Sequence, residues 1–182
     1  MISDKDSLKN AVSLTVGAGS FQDNEELPGL AHILEHSILA GSNDFPKPFE
    51  FEYLLAKHFG SINSFTEDEK TTFYFQSDIN GFEKCIEVFS RLFANPKLDI
   101  NLIPSHLLKI EDELKRKINE DQFKEIQIIK DLANPLHPFS RFSLGDLEKL
   151  KKRDIGFIHN MMKNFFVKYY TPDNIKIAVI CI

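Results

Sequence analysis

Residues 29–41 read GLAHILEHSILAG and place His32, Glu35 and His36 in a run of otherwise apolar and small residues. The proline before this run and the glycine at its end are typical of the start and the end of a helix. On a helix, side chains four residues apart stack on one face, and the side chain three along lies beside them. The stretch therefore predicts a mostly buried helix that carries three titratable groups on one side.

The spacing of the two histidines suggests a zinc site. His32 and His36 can point at one position about 2.0–2.1 Å from each ring, which is the distance that zinc requires. Catalytic zinc keeps three protein ligands and a water whose pKa falls to about 7, and Glu35 could then take the proton of that water as general base. The competing interpretation is a pair of core histidines hydrogen-bonded to a carboxylate and to backbone, because buried polar groups without partners are costly.

A third ligand is expected from the segment 101–132, which predicts a long charged helix with a possible break. Its apolar residues recur at spacings of three and four and form one core-facing stripe, namely Ile103, Leu107, Ile110, Leu114 and Ile118. At about 100° per residue, Glu113 and Glu111 border this stripe on opposite edges, whereas Asp112 points away. Helical geometry leaves Glu111 and Glu113 both open, and without the histidine pair a solvated acidic face would be the simpler interpretation.

The remaining patterns predict an α+β fold in one domain, residues 1–182. Alternating apolar residues predict strands at 11–16, 61–66, 71–78 and 175–182. The middle two of these strands are expected to form a hairpin. Further helices are predicted at 49–60, 80–96 and 154–169. We therefore expect a largely antiparallel sheet with helices packed against it, one of them the zinc-binding helix and another, long helix carrying the third ligand.

Composition excludes several classes of function. The 182 residues carry a net charge of -5, which argues against a nucleic-acid partner, and the short basic run at 149–153 fits a solvated helix end. No apolar run approaches the roughly 20 residues of a membrane span. Cys85 and Cys181 each lie among apolar residues, which favours reduced thiols and a cytoplasmic location, or an organelle if an upstream targeting segment has been removed.

Four blocks of sequence carry a family resemblance. The helix has the pattern H-x-x-E-H, the inverted form of the zincin motif H-E-x-x-H. It is followed, in order, by GSINSFTEDEKTTFYF, NPLHPFSRFSLGD and YYTPDNIKIAVI. Together these blocks resemble the insulinase (pitrilysin-type) family of zinc metallopeptidases, specifically the N-terminal domain of an insulysin-like member, over nearly the whole chain.

The resemblance implies roles for individual residues. His32 and His36 would be ligands of Zn²⁺, Glu35 the general base, and Glu113, 77 positions after His36, the third ligand. The strand at 61–66 would hold a peptide substrate by strand addition. On that strand the residues implied in substrate binding are Asn63 as a polar contact, with Ser64 and Phe65 beside it. The loop around His137, Pro138 and Phe139 would lie near the wall of the substrate chamber.

His106 departs from the family pattern. Family members commonly carry a glutamate seven residues before the third ligand, close to the metal, and His106 stands there. A histidine can donate a hydrogen bond to a carboxylate but cannot replace a carboxylate that accepts one from a ligand imidazole. We therefore expect zinc affinity to be weaker than in typical members, by about 10-fold or more.

The function implied is that of a zinc-dependent endopeptidase domain, the N-terminal part of a longer protein with four related domains. Its partners would be peptide substrates and the remaining domains of the same parent chain, especially the C-terminal half, which supplies arginine and tyrosine side chains to the site. The isolated chain is therefore expected to hydrolyse peptides poorly. The alternative is a non-catalytic or degenerate insulinase-like subunit with a structural or processing role, which His106 favours; a peptide-binding or zinc-storing module is a third interpretation.

Overall fold

The predicted strands and helices occur in the predicted order, and a two-residue strand at 2–3 that was not predicted is added to them. The computed structural model describes residues 2–3, 7–142 and 144–181. Its strands are β1 (Ile2–Ser3), β2 (Asn10–Val16), β3 (Ser61–Thr66), β4 (Thr71–Ser77) and β5 (Ile175–Cys181). Its helices are α1 (Leu30–Leu39), α2 (Glu50–Lys57), α3 (Phe82–Ala94), α4 (Ile103–Lys117), α5 (Asp121–Asp131), α6 (Leu147–Lys152) and α7 (Ile155–Tyr169). Ile182, the last residue of the predicted final strand, lies outside the described residues.

The five strands form one sheet in the order β1-β5-β2-β4-β3. All neighbouring pairs are antiparallel except β1 and β5, which run parallel. The predicted hairpin is confirmed, with Asn63 of β3 opposite Tyr74 of β4. The expected fold class is therefore confirmed, and β3 is an edge strand of the sheet.

One face of the sheet is buried under the helices. In β2 the residues at every second position are buried, as a strand with one covered face requires. Phe73 and Phe75 of β4 are almost completely buried and pack against aromatic rings of α2 and α3. Helix α1 lies within this layer, in contact with α3, α4, α7 and β3. Burial of one such side chain contributes about 1.5–3 kcal/mol, so the core holds α1 firmly.

The long charged segment is divided, as predicted. Helix α4 ends at Lys117 and α5 begins at Asp121. On α4, Ile103, Leu107 and Ile110 are buried, whereas Ile118 beyond its end is about half exposed. The buried stripe thus covers only the first part of the segment, and this part fixes the rotation of α4 against α1.

A close contact between two glycines fixes the start of α1. Gly29 has φ +101° and Gly145 has φ +79°. A Cβ atom added to Gly145 would lie 2.2 Å from Cα of Gly29, closer than any side chain allows. The backbone N–H of Asp146 also donates to the Pro28 carbonyl at 3.0 Å. The segment before α6 therefore packs directly on the loop that leads into the histidine helix.

Membrane-spanning helices are not found in the part of the chain that the structure describes. Every helix there is too short or too polar to cross a bilayer.

Candidate metal centre and active site

Helix α1 presents three titratable side chains on one side, as its sequence predicts. His32 and Glu35 are buried, and His36 in the last turn is partly exposed. The ring centroids of His32 and His36 are 5.0 Å apart. The prediction of a mostly buried helix with both histidines on the same face is confirmed.

Glu113 of α4 lies directly against the two histidines. Its Oε2 atom is 3.3 Å from Nε2 of His32 and 3.8 Å from Nε2 of His36. Among the described residues, these three form a group of His, Cys, Asp or Glu side chains whose ligand atoms all lie within 4.8 Å of one another. Ligand atoms about 2.0–2.1 Å from a tetrahedral zinc ion lie about 3.3 Å apart, so the spacing is close to that of a metal centre.

The structure separates the two glutamates that helical geometry had left open. The Glu111 carboxylate accepts a 2.7 Å hydrogen bond from Nζ of Lys151, away from the histidines. Asp112 is largely exposed and lies 3.4 Å from Lys115. Of the three acidic residues in this cluster, the structure therefore brings only Glu113 to His32 and His36.

Glu113 is held as an anion. The proximity of His32 first, and then of His36 and Lys117, keeps the pKa of the Glu113 carboxyl well below its usual value. Lys117 lies 2.7 Å from Oε1, which leaves Oε2 directed at the histidines. The carboxylate can therefore offer one oxygen to a cation without a change in its protonation.

An unpartnered ring nitrogen of the site fits a bound cation. Within the described residues, Nε2 of His36 is buried and lies 3.8 Å from Glu113, with no atom within hydrogen-bond distance. Buried polar atoms are rarely left unpaired, and each such atom costs about 1–3 kcal/mol. Two imidazoles and one carboxylate are a known ligand set of catalytic zinc, so the residues present fit the metal that the sequence suggests.

Glu35 is held by two hydroxyl groups of strand β3. Ser64 Oγ donates to Oε1 at 2.5 Å, and Thr66 Oγ1 donates to Oε2 at 2.6 Å. These residues alternate with Asn63 and Phe65, so they face the helix layer. Thr66 was not among the predicted site residues, although strict alternation along β3 would have placed it beside Ser64.

Asn63 and Phe65 lie on the opposite face of β3. The amide of Asn63 donates to the Tyr74 hydroxyl at 3.2 Å, and the Phe65 ring packs 6.2 Å from the ring of Tyr74. The structure therefore brings Ser64 to Glu35 but directs these two side chains away from it. Residues 62–66 of the strand, with His32, Glu35 and Glu113, line a cavity of about 550 Å³.

His106 is buried next to the candidate metal-ligating residues. The residue is 3% exposed, and its ring centroid is 6.2 Å from that of His36. Burial first, and then the electrostatic effects of His36 and Lys109, lower the pKa of His106 to about 4. At neutral pH the ring is therefore uncharged, with one nitrogen as a donor and the other as an acceptor.

Asp23 fixes the start of α1 and was not predicted. Its Oδ2 accepts from the backbone N–H of Gly29 at 2.6 Å, and Oδ1 accepts from that of Ala31 at 2.8 Å. These bonds satisfy two of the free N–H groups at the helix start. Burial raises the pKa of Asp23 to about 6, against the lowering effect of the two backbone bonds. No local signal reveals this cap, because Asp23 lies in a polar loop six residues before Gly29.

The loop that contains His137, Pro138 and Phe139 packs beside a different cavity. The His137 ring meets Phe21 edge-on at 5.5 Å, and Nζ of the buried Lys130 lies 4.6 Å from the Phe139 ring. His137 lines a cavity of about 730 Å³ on the side of α6. Although it is larger than the cavity at the histidines, it contains no metal-ligating cluster among the described residues.

Comparisons with known proteins identify relatives of this chain. The sequence model of the family described as Insulinase (Peptidase family M16) matches residues 1–135. AXL1 of Saccharomyces cerevisiae is 41% identical over 190 residues, covering 98% of this chain and 16% of that protein. Insulin-degrading enzyme of Mus musculus is 31% identical over 184 residues, covering 99% of this chain and 18% of that protein.

A solved structure shares the fold. The crystal structure of pitrilysin matches with a TM-score of 0.92 at 30% sequence identity, covering 98% of this chain and 19% of that one. The chain thus spans less than a fifth of the length of each of these relatives.

Proposed function

Because the chain belongs to the insulinase family (peptidase family M16), we propose that it is a zinc-dependent endopeptidase domain within a longer protein of that family. The observation that carries this proposal is the convergence of His32, His36 and Glu113, whose ligand atoms lie within 4.8 Å of one another beside the buried carboxylate of Glu35. In this proposal the first three residues hold Zn²⁺, and Glu35 acts on the proton of the attacking water.

Glu35 is the residue that moves protons in this proposal. When bound, zinc supplies a Lewis acid that polarises a scissile carbonyl and makes water more acidic. Glu35 accepts a proton from the attacking water and later delivers it to the leaving amine. Ser64 and Thr66 hold the carboxylate in place through one hydrogen bond to each oxygen. Since a general base must lie within hydrogen-bond reach of the proton it takes, this fixed position supports the role.

Strand β3 is the proposed substrate-binding element. It is an edge strand, and it lines the same cavity as His32, Glu35 and Glu113. An extended peptide can pair with such an edge through backbone hydrogen bonds. Ser64 faces Glu35, whereas Asn63 and Phe65 face away; we propose that these two contact the peptide along the strand edge. Backbone pairing favours unfolded peptides, because a folded segment cannot offer a free strand.

The rest of the longer protein is proposed to complete the site. The chain spans less than a fifth of its relatives, and the candidate centre lies in an open cavity of about 550 Å³. We propose that the remaining domains, especially the C-terminal half, close over this cavity and add arginine and tyrosine side chains. The isolated chain would then bind zinc but hydrolyse peptides poorly.

A degenerate, non-catalytic subunit is the second candidate function. His106 favours it, because a neutral ring stands where a carboxylate would support a ligand imidazole. The two functions are separated by peptide hydrolysis in the full-length protein that contains this chain. The endopeptidase proposal predicts zinc-dependent cleavage of an unfolded peptide, lost in Glu35→Gln with zinc content unchanged. Cleavage that survives Glu35→Gln contradicts the role of Glu35, and no cleavage by the zinc-loaded wild type supports the degenerate subunit.

A further inference from the structure

A second, smaller cavity adjoins the candidate metal centre. It has a volume of about 120 Å³ and is lined by residues of α1, α2 and α4, with polar groups from His36, Glu52, His106 and Lys109. His36 and Glu52 also line the larger cavity that contains Glu35 and Glu113. The small cavity therefore reaches the metal-centre histidine from the side of α2.

Three polar atoms in this cavity wall lack partners. Within the described residues, Oε2 of Glu52 and both ring nitrogens of His106 are buried without a hydrogen bond. Leaving such atoms unpaired is costly, and most buried polar atoms are bonded to protein or to ordered water. The cavity has room for at least one water molecule, and its lining offers the two to four polar partners that a buried water needs.

The chemistry of a metal-bound imidazole explains what these atoms could do together. A histidine that binds a metal through one nitrogen donates the N–H of its other nitrogen to a carboxylate, a backbone carbonyl or a water. Nε2 of His36 is the nitrogen that lies near Glu113. Glu52 is the carboxylate of the small cavity, and the neutral His106 ring, 6.2 Å from that of His36, can donate one hydrogen bond and accept another.

Given the zinc site proposed above, we propose that Glu52 is a positioning residue that orients His36 through a hydrogen-bonded network in this cavity, with His106 as a member of that network. The network connects α2 to the metal-binding helix. Lys109 lines the same cavity, with Nζ 5.0 Å from the Phe49 ring, and places a positive charge in the wall that also contains the Glu52 carboxylate. Glu52 thereby supplies the carboxylate support that His106 cannot.

Zinc affinity, measured by competition with a chromophoric chelator, tests this role. We expect Glu52→Gln to weaken zinc binding about 10-fold, and Glu52→Asp, which keeps a carboxylate, to recover most of the loss. Glu50→Gln is the matched control, because Glu50 lies on the same helix and lines neither of the two cavities; it should bind zinc like the wild type. The thermal midpoints of the zinc-free proteins should all agree.

Coupling to His106 provides the second measurement. If both residues act through one network, the loss from Glu52→Gln should be clearly smaller in a His106→Leu background than in the wild type. Wild-type zinc affinity in Glu52→Gln, or a loss that Glu52→Asp does not reduce, overturns the inference. Additive losses from the two substitutions remove His106 from the network and also overturn it. A wild type that binds no zinc refutes the proposed function instead, so the two failures are distinct.

Discussion

The Ser64 hydroxyl donates a 2.5 Å hydrogen bond to the carboxylate of Glu35. With the matching bond from Thr66, it connects the proposed general base to the strand on which a peptide would lie. Glu35 comes from the buried helix and the hydroxyls come from the sheet edge, so each element fixes the other. In the proposed function, the pairing of a peptide along β3 would therefore be coupled to the position of the base.

Removal of these hydroxyls should slow catalysis more than it weakens substrate binding. Hydrogen bonds to charged groups contribute about 1.5–3 kcal/mol, so we predict that Ser64→Ala or Thr66→Val lowers kcat by at least about 10-fold, with KM nearly unchanged. Ser64→Thr and Thr66→Ser keep a hydroxyl and should keep most of the activity. The measurement is steady-state peptide hydrolysis by the full-length protein, with Ser13→Ala on the neighbouring part of the sheet as control. Equal kcat in all variants would show that the two bonds do not position Glu35.

Asp23 should make folding stability depend on pH between about 4 and 6. Its pKa is raised from 3.8 to about 6, so the folded protein binds this proton more tightly than the unfolded chain does. The contribution of Asp23 therefore favours folding at acid pH, and it declines as the pH rises through this range. A shift of about 2 pKa units corresponds to about 3 kcal/mol.

Urea unfolding of the zinc-free protein at several pH values checks this sign. Relative to Asp23→Asn, the wild type should lose free energy of unfolding from pH 4 to pH 6 and show a constant difference above pH 7. Asp121→Asn, at an almost fully exposed side chain, is the control and should follow the wild type. If the free energies of unfolding of wild type and Asp23→Asn changed with pH in parallel, the Asp23 carboxyl would not bind its proton more tightly in the folded protein.

Gly145→Ala should destabilise the protein strongly. The added methyl group would lie 2.2 Å from Cα of Gly29, and the residue would keep a positive φ. Because backbone rather than a flexible side chain is in the way, we predict a loss of at least about 2 kcal/mol. Gly156→Ala is the control, since the nearest atom there belongs to the side chain of Asp154. Equal thermal midpoints for the two variants would contradict the close packing of this segment on α1.

His106→Glu should raise zinc affinity. A carboxylate at this position can accept a hydrogen bond from a ligand imidazole, which the neutral ring cannot do in the same way. We predict a gain of up to about 10-fold, and a larger gain when Glu52→Gln is also present. Chelator competition measures both. If neither protein gains affinity, His106 does not limit zinc binding.

Local sequence patterns predicted most of the secondary structure and part of the candidate site. The helical period alone places His32, Glu35 and His36 on one face. The alternation of apolar and polar residues predicted the two strands of the hairpin. The positions of Glu111 and Glu113 around α4 could not decide between them, because the choice depends on how α4 packs against α1. The family resemblance implied Glu113. Asp23 could not be found, because its bonds to Gly29 and Ala31 form across a loop.

Zinc binding by the purified chain tests the central claim most directly, because it needs no other domain. Metal content and chelator competition should show one zinc ion per wild-type chain. Glu113→Gln should weaken binding at least 100-fold, since the charged ligand 3.3 Å from His32 becomes a neutral amide. Glu111→Gln, two residues away and paired with Lys151, should bind zinc like the wild type. A chain that binds no zinc, or equal affinity in the two variants, would contradict a metal centre formed by His32, His36 and Glu113.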